Sequence, residues 1–423
     1  MTTDDRFGTN LSSWLHEDAA HRVPDHLAET LARTAATRQR PWWSSLERLL
    51  PMDLSTPQRP FVAVGRLGPF ALLIVVALLA VALVVAAIGS RGPSLEPFGA
   101  ARNGTWVTSA NGDIYAGDAL GSPLAALVQG DQQFDFSPIW SRDGSRIAFL
   151  RSDGPITEPA VLTLMVMDAD GTGLRAVTPP RVSLDWFDWS PEGDRIAYVA
   201  TGDLWVTDTA TGAETSLVTD GRVHFPTWLP PEGKEIIVRT ETSSPSVLAI
   251  AADGSGSRTL SRTHANNRFD YSALAVAPDG SAVTFTRWSE SGLPRVMRLD
   301  LSSGEVRTYP LGEGLGQRGT APFSPDGSLV AYAQIYSDAS FQIVTANSDG
   351  SGTPRPLGRR EPAPANGSQV DATWAFTPDG ASLVVRYGTD EDGVTELVPL
   401  DGTASTPIGS GAFNFVDVQR RLP

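Results

Sequence analysis

Six times between Trp140 and Gly380 the chain repeats one short unit: an apolar or aromatic residue, a tight turn ending in glycine, and an alternating strand. The copies are Trp140 before Ser141-Arg142-Asp143-Gly144, Trp189 before Ser190-Pro191-Glu192-Gly193, and Trp228 with a turn one residue longer that ends at Gly233. Then come Val276 before Ala277-Pro278-Asp279-Gly280, Phe323 before Ser324-Pro325-Asp326-Gly327, and Phe376 before Thr377-Pro378-Asp379-Gly380. The terminal glycines lie 49, 40, 47, 47 and 53 residues apart. Units of this size cannot bury an apolar face alone and must stack on their neighbours. The turn residues have physical roles. Proline presets φ at the first turn position, the carboxylate accepts nearby backbone N–H groups, and glycine takes the positive φ that reverses the chain.

The strand after each turn is apolar on both faces. Ile147, Ile196, Ile236, Val283, Val330 and Leu383 share one face with Phe149, Tyr198, Val238, Phe285, Tyr332 and Val385, while Ala148, Ala197, Ile237, Thr284, Ala331 and Val384 point the other way. Such a strand belongs between two packed sheets. A third strand, as at Leu164 to Asp168, ends in a second turn, as at Ala169-Asp170-Gly171-Thr172-Gly173. Similar turns at Asp253-Gly254, Ser303-Gly304, Asp349-Gly350 and Asp401-Gly402 precede a short fourth strand. Four strands per repeat make a propeller blade. The ends complete the count. Phe413 to Val418 reads as an isolated innermost strand, and Trp106 to Ser109, Asp113 to Gly117 and Leu124 to Gln129 read as three strands lacking a first. Joined, they form a seventh blade, and the 322 residues from 102 to 423 divide into seven units of 46. The expected fold is an all-β, seven-bladed β-propeller, with six blades as the alternative. The 40 Gly, 32 Pro and only 19% charged residues agree with many short strands joined by turns.

Phe70 to Ile88 is nineteen consecutive Phe, Leu, Ile, Val or Ala residues, and no charge occurs from Leu67 to Ser90. That length and composition predict one transmembrane helix over 67–90. Its late start argues against a cleaved signal peptide. Arg59 and Arg66 on one side are matched by Arg91 and Arg102 on the other, and Arg33, Arg38, Arg40 and Arg48 tip the balance toward a cytoplasmic N-terminus. The expected organisation is a cytoplasmic helical segment over 1–66, the span over 67–90, a linker over 91–101 and the propeller over 102–423, outside the cytoplasm. Within the first segment, Leu27, Leu31 and Ala35 make a narrow apolar stripe. Trp42, Trp43, Leu46, Leu49 and Leu50 make a stronger one, suited either to lying on the membrane surface or to docking a cytoplasmic partner.

With its W-S-P-D-G-x-x-[IL]-A-[FY]-like blades, the region over 102–423 resembles the WD40-like, or PD40, repeats of TolB-type propellers. The likeness spans roughly three quarters of the chain and implies the fold. TolB is a soluble periplasmic protein with a separate N-terminal partner-binding domain. This chain has an apolar stretch there instead, so a role in the Tol system does not carry over. Leu11 to Met52 also looks like the cytoplasmic leader of bacterial membrane regulators resembling anti-sigma factors.

Several chemistries lack material. Cysteine is absent, which removes disulfides, thiolate metal sites and cysteine nucleophiles. No G-x-S-x-G elbow occurs. The propeller region holds only His224 and His264, too few for a multi-histidine metal site. His16, Glu17 and His21 resemble a zinc-protease helix, but five residues separate the histidines, and His26 repeats that spacing; five residues turn about 140° around a helix, so the rings cannot share a metal. Asp168, Asp170 and Gly171 start like a calcium loop without its later ligands, and a hairpin turn accounts for them. Residues 1 to 68 carry 8 Arg and 8 Asp or Glu, so the whole net charge of −15 falls on the remainder, 25 basic against 40 acidic residues. Such a surface repels phosphate backbones.

No catalytic, cofactor-binding or metal residue is assigned, and no cofactor is expected. The irregular loops at Ser152 to Pro159, Thr263 to Asp270, Ser289 to Leu293, Gly312 to Gly319 and Tyr336 to Ala339 are the candidate binding surface. The expected function is a membrane-tethered binding or sensing propeller for a protein, peptide or cell-envelope ligand, and not an enzyme. A transmembrane regulator with a cytoplasmic output segment and protein partner is the alternative, and a hydrolase a remote one.

Overall fold

The turn chemistry is visible directly in a computed structural model of the chain, which describes residues 98–130, 132–154, 159–242, 245–262, 273–288, 292–362, 372–388, 393–410 and 416–421. Gly144, Gly193, Gly233, Gly280, Gly327 and Gly380 all have positive φ, from 59° to 73°. Asp143, Asp279, Asp326 and Asp379 each accept the backbone N–H two residues on, at 2.9–3.1 Å. The hydroxyl that opens the turn accepts the N–H five residues later, Ser141 from Arg146, Ser190 from Arg195, Ser324 from Leu329 and Thr377 from Ser382, at 2.9–3.1 Å. Glycine is needed for a second reason at Gly144 and Gly280: a Cβ there would run into the carbonyl of Arg420 or of Pro230 in the preceding blade.

These turns organise the described strands into seven sheets. Blade 1 pairs Phe134–Trp140, Arg146–Ser152 and Val161–Asp168, with Arg175–Ala176 and Arg181–Val182 both lying on the third strand. Blade 2 runs Leu184–Trp189, Arg195–Ala200, Asp203–Asp208 and Glu214–Val218, and blade 3 runs Val223–Trp228, Glu235–Thr240, Ser246–Ala251 and Ser257–Arg262. Blade 4 holds Ala275–Val276, Ala282–Trp288, Pro294–Asp300 and Val306–Thr308; blade 5 holds Gly316–Arg318, Leu329–Ile335, Phe341–Asn347 and Arg355–Glu361. Blade 6 comprises Ala372–Phe376, Ser382–Tyr387, Val394–Pro399 and Thr406–Ser410. Blade 7 joins the chain's C-terminal strand Val416–Arg421 to Arg102–Ala110, Asp113–Gly117 and Ala125–Val128. The fold is the seven-bladed β-propeller expected from the repeat.

Every blade packs on both faces. Ile147 and Phe149 bury against Val107 and Ile114 of blade 7, while Ala148 and Leu150 turn toward Trp189 and Tyr198 of blade 2. Further apolar clusters fill the contacts between blades 2 and 3, 3 and 4, 4 and 5, 5 and 6, and 6 and 7. The doubly apolar second strand therefore serves two neighbours at once.

Two differences from the sequence expectation bear on the ring. Gly316–Arg318, expected within a loop, forms the innermost strand of blade 5, because Gln317 is fully buried and bonds the Val296 N–H and the Tyr309 and Pro310 carbonyls. The closing strand runs over Val416–Arg421, three residues beyond the expected end. Polar side chains hold this extension. Gln419 donates to the Gly144 carbonyl at 2.6 Å and accepts the Thr105 N–H at 3.2 Å, and Arg420 donates to the Gly99 and Arg142 carbonyls at 2.7 and 3.2 Å. The register places Arg102 opposite Arg421, Trp106 opposite Val418 and Thr108 opposite Val416. Asn103 adds a two-way bond to Asp379, linking blade 7 to the turn of blade 6 at 2.8 and 3.1 Å.

The segments expected over 1–66 and 67–90 lie outside the described residues, as does most of the linker. Among the described residues, no helix is long and apolar enough to cross a membrane.

Deleting residues 416–423 removes the five registered pairs and the buried Val418. At about 1 kcal/mol per ladder bond and 1.5–3 kcal/mol for the valine, the loss is roughly 5 kcal/mol or more. Differential scanning calorimetry should show the truncated chain melting on the order of 10 °C lower.

Candidate binding site in the axial channel

The innermost strands of the seven blades surround one cavity of 420 Å³. The residue before each repeat's Trp, Val or Phe faces it at one level: Ile139, Asp188, Thr227, Ala275, Pro322, Ala375 and, in blade 7, Asp417. Both carboxylates fall in one arc, in blades 7 and 2 on either side of blade 1, and the rest of the ring at this level carries no charge. Each bonds to the next blade. Asp417 accepts the Trp140 N–H at 2.7 Å, and Asp188 accepts the Trp228 N–H at 2.9 Å. Indole N–H groups donate in the same sense, from Trp189 to the Ile139 carbonyl and from Trp228 to the Asp188 carbonyl of the preceding blade.

Arg142, from the turn of blade 1, bridges this arc. Its Nη2 lies 3.0 Å from Asp188 Oδ1, and its guanidinium sits 5.3 Å from the Phe98 ring centre. Phe98 and Gly99 line the same cavity, so the chain enters the ring at the end carrying the glycine turns. Burial pushes the Asp417 carboxyl up to about 6, against the pull of the Trp140 and Val418 N–H groups and Arg142. Burial and the neighbouring Arg142 lower Arg420 to about 10.

Toward the opposite end the innermost strands of blades 1, 2 and 3 bulge: the register shifts between Phe136 and Ile139, opposite Tyr198 and Ala200, and between His224 and Thr227. Ser137 and Phe225 in these bulges take φ of 55° and 56°. For a bulky side chain that costs of order 1–3 kcal/mol and persists only where the surroundings enforce it. Here they do. Phe225 is buried between Trp186, whose ring centre is 4.6 Å away, and the Arg239 guanidinium, 4.6 Å from the Phe225 ring centre. Trp186 itself is 42% exposed and lines the cavity, whereas Trp106, Trp140, Trp189 and Trp228 are buried. Near this end Asp135 and Arg151 form a two-bond pair at 2.7 Å, with the Asp135 side chain buried.

The sequence candidates distribute as follows. His224 lies on the innermost strand of blade 3 with Nε2 3.7 Å from Glu241. His264 and the loop stretches 155–158, 263–270 and 289–291 lie outside the described residues, as do His16, Glu17, His21 and His26. Tyr336 to Ser340 is a tight turn closed by the Tyr336 N–H to the Ser340 carbonyl, and Arg360 holds Asp338 at 2.8 Å. Asp170 accepts the N–H and hydroxyl of Thr172 within the hairpin that Asp168 begins. Among the described residues no three His, Asp or Glu side chains are grouped to hold a metal ion. Asp188, Asp417, Trp186 and Phe225 escaped the sequence reading. A signal existed for the first two, since both stand immediately before the aromatic or apolar residue of the repeat.

Seven blades of four strands, blade 1 with a fifth on its third strand, closed by a strand from each terminus and carrying six glycine-ended turns around one channel, define a β-propeller built from PD40-type repeats. A family model for the TolB beta propeller domain, PD40, matches residues 145–417, and the chain belongs to that family. Comparison with curated protein sequences finds no match. Similar solved structures include TolB from Acinetobacter baumannii, 18% identical over 76% of this chain and 81% of that one, with a TM-score of 0.47. A putative 6-phosphogluconolactonase from Bacteroides uniformis is 14% identical over 74% and 98%, with a TM-score of 0.52. A prolyl endopeptidase is 14% identical over 76% of this chain but 50% of its own, with a TM-score of 0.53. At these identities the likeness concerns the fold.

Because the folded state raises Asp417 from 3.8 to about 6, it takes up a proton before the unfolded chain does. Stability should therefore rise as pH falls from 7 to about 4.5, by about 2 kcal/mol. The turn carboxylates Asp143, Asp326 and Asp401 are held below their usual range and oppose this only below about pH 4. Urea unfolding at several pH values should show the trend in the native sequence and a flattened profile in Asp417→Asn.

Proposed function

We propose that the chain is a binding or sensing propeller tethered to the membrane by residues 67–90, with residues 1–66 in the cytoplasm and the ring outside it. The observation that carries the binding role is the architecture of the ring. Seven mutually packed blades hold one cavity and a set of loops on a rigid frame, the arrangement suited to receiving a partner without chemistry of its own. The chain enters at the turn end, beside Phe98, Arg142 and Arg420. The loops at the opposite end of the ring are the surface offered to a protein, peptide or envelope ligand.

The tether is supported by the uncharged nineteen-residue run from Phe70 to Ile88. A second reading makes the chain a transmembrane regulator in which 1–66 is the output. The aromatic amphipathic stretch from Trp42 to Leu50 and the likeness of Leu11 to Met52 to anti-sigma-like leaders favour it, and co-purification of a sigma factor with residues 1–66 would separate it from a passive tether. Nucleic acid is an unsuitable partner for the acidic ring.

Protease treatment of intact spheroplasts expressing the chain with a tag at each terminus should digest the C-terminal tag and spare the N-terminal one. The reverse pattern places the ring in the cytoplasm and overturns the topology.

A further inference from the structure

Among the described residues, Trp186 is the one large aromatic side chain that reaches the axial cavity with two fifths of its surface uncovered. Its position is enforced. Strand alternation puts it on the same side as Asp188, beside the register shift of its own strand, and the strained Phe225, itself backed by Arg239, supports the indole from one side. Two residues along the same strand, about 7 Å by strand rise, Asp188 faces the same cavity with Arg142 bonded to it. An exposed aromatic face beside a carboxylate and a guanidinium, in a cavity of 420 Å³, has the size and mixed character of a small-molecule site.

We propose that this cavity is a carbohydrate-binding site in which the face of Trp186 stacks on a sugar ring while Arg142 and Asp188 hydrogen-bond its hydroxyls. A pyranose offers an apolar C–H face and a rim of hydroxyls that both donate and accept. The site presents the matching surfaces: an indole face, an arginine with N–H groups beyond the one given to Asp188, and carboxylate oxygens each able to accept a second bond. A peptide added as a strand fits less well. The backbone N–H groups of Trp140 and Trp228 on the channel edge are already taken by Asp417 and Asp188, which removes donors that strand addition requires. Nucleotides are disfavoured by the two channel carboxylates and the net charge of −15. The proposal goes beyond the tethered-partner reading and holds for either orientation of the ring.

The test is saturation-transfer difference NMR on the full chain in a polyoxyethylene detergent without sugar headgroups. The probes are maltotriose, cellotriose, chitotriose and trigalacturonate. At least one should receive saturation, with Trp186→Ala weakening binding tenfold or more, Trp186→Phe less, and Arg142→Gln also weakening it. Leu174→Ala, on an exposed apolar residue outside the channel, should change nothing. Circular dichroism and the thermal midpoint check that each variant is folded; Trp186→Phe keeps the test open if the alanine variant is not. No signal from any of the four sugars overturns the proposal, as does binding that Trp186 substitutions in a folded chain leave unchanged. Trp186-dependent binding of a polyproline decapeptide that displaces the sugar assigns the platform to peptide and overturns it equally.

Discussion

No blade of this ring has a face suited to water. Blade 1 turns Ile147, Phe149, Met165 and Met167 to one neighbour and Ala148, Leu150, Leu164 and Val166 to the other. At about 1.5–3 kcal/mol for each large side chain buried, one uncovered face forfeits roughly 6–12 kcal/mol. That equals the whole net stability of an ordinary domain. The ring must therefore close, and the seventh interface matters as much as the other six. This explains why so many polar side chains gather at the seam. Gln419, Arg420 and Asn103 bind backbone or turn groups across it, satisfying groups at the place where no Ser-Pro-Asp-Gly turn links the first and second strands.

Closure also creates the channel, whose wall is not sevenfold in chemistry. Asp188 and Asp417 replace with a carboxylate what the equivalent Ala275, Pro322 and Ala375 leave apolar. Each tethers its own blade to the backbone of the next, so each carboxylate serves a contact between blades and the channel wall together. Register shifts between the innermost and second strands fall in blades 7, 1, 2 and 3, and the strain at Phe225 is borne where Trp186 needs support. Irregularity concentrated in one arc of a repetitive ring is where function is expected, since the repeat itself asks for none of it.

Most of the architecture was legible because the repeat writes its constraints locally. A turn glycine, a carboxylate two residues before the N–H it accepts, and a strand apolar on both faces each have a residue-level cause, and their spacing counts the blades. The closing strand was located but cut short. Gln419 and Arg420 look like surface residues until their carbonyl partners, more than 270 positions away in sequence, are known. Gln317 hid a strand in the same way. The channel was less legible still. Asp188 precedes a repeat tryptophan and could have been noticed, but that Arg142, 46 residues earlier, meets it depends on how adjacent blades are set. Trp186 lies on the same side as Asp188 by strand alternation, but it is not part of the repeated turn unit, so the repeat does not single it out.

The antiparallel register at the seam puts Arg102 directly opposite Arg421. A load entering through the N-terminal side pulls Arg102–Ala110 along its own axis, between Val416–Arg421 on one side and Asp113–Gly117 on the other. The hydrogen bonds of both ladders then share the force in shear. A load that separated the two termini would meet the same strands from their open end and part them one pair at a time. The ring is thus mechanically directional: built to be held by its first strand, and weak if drawn apart by its ends.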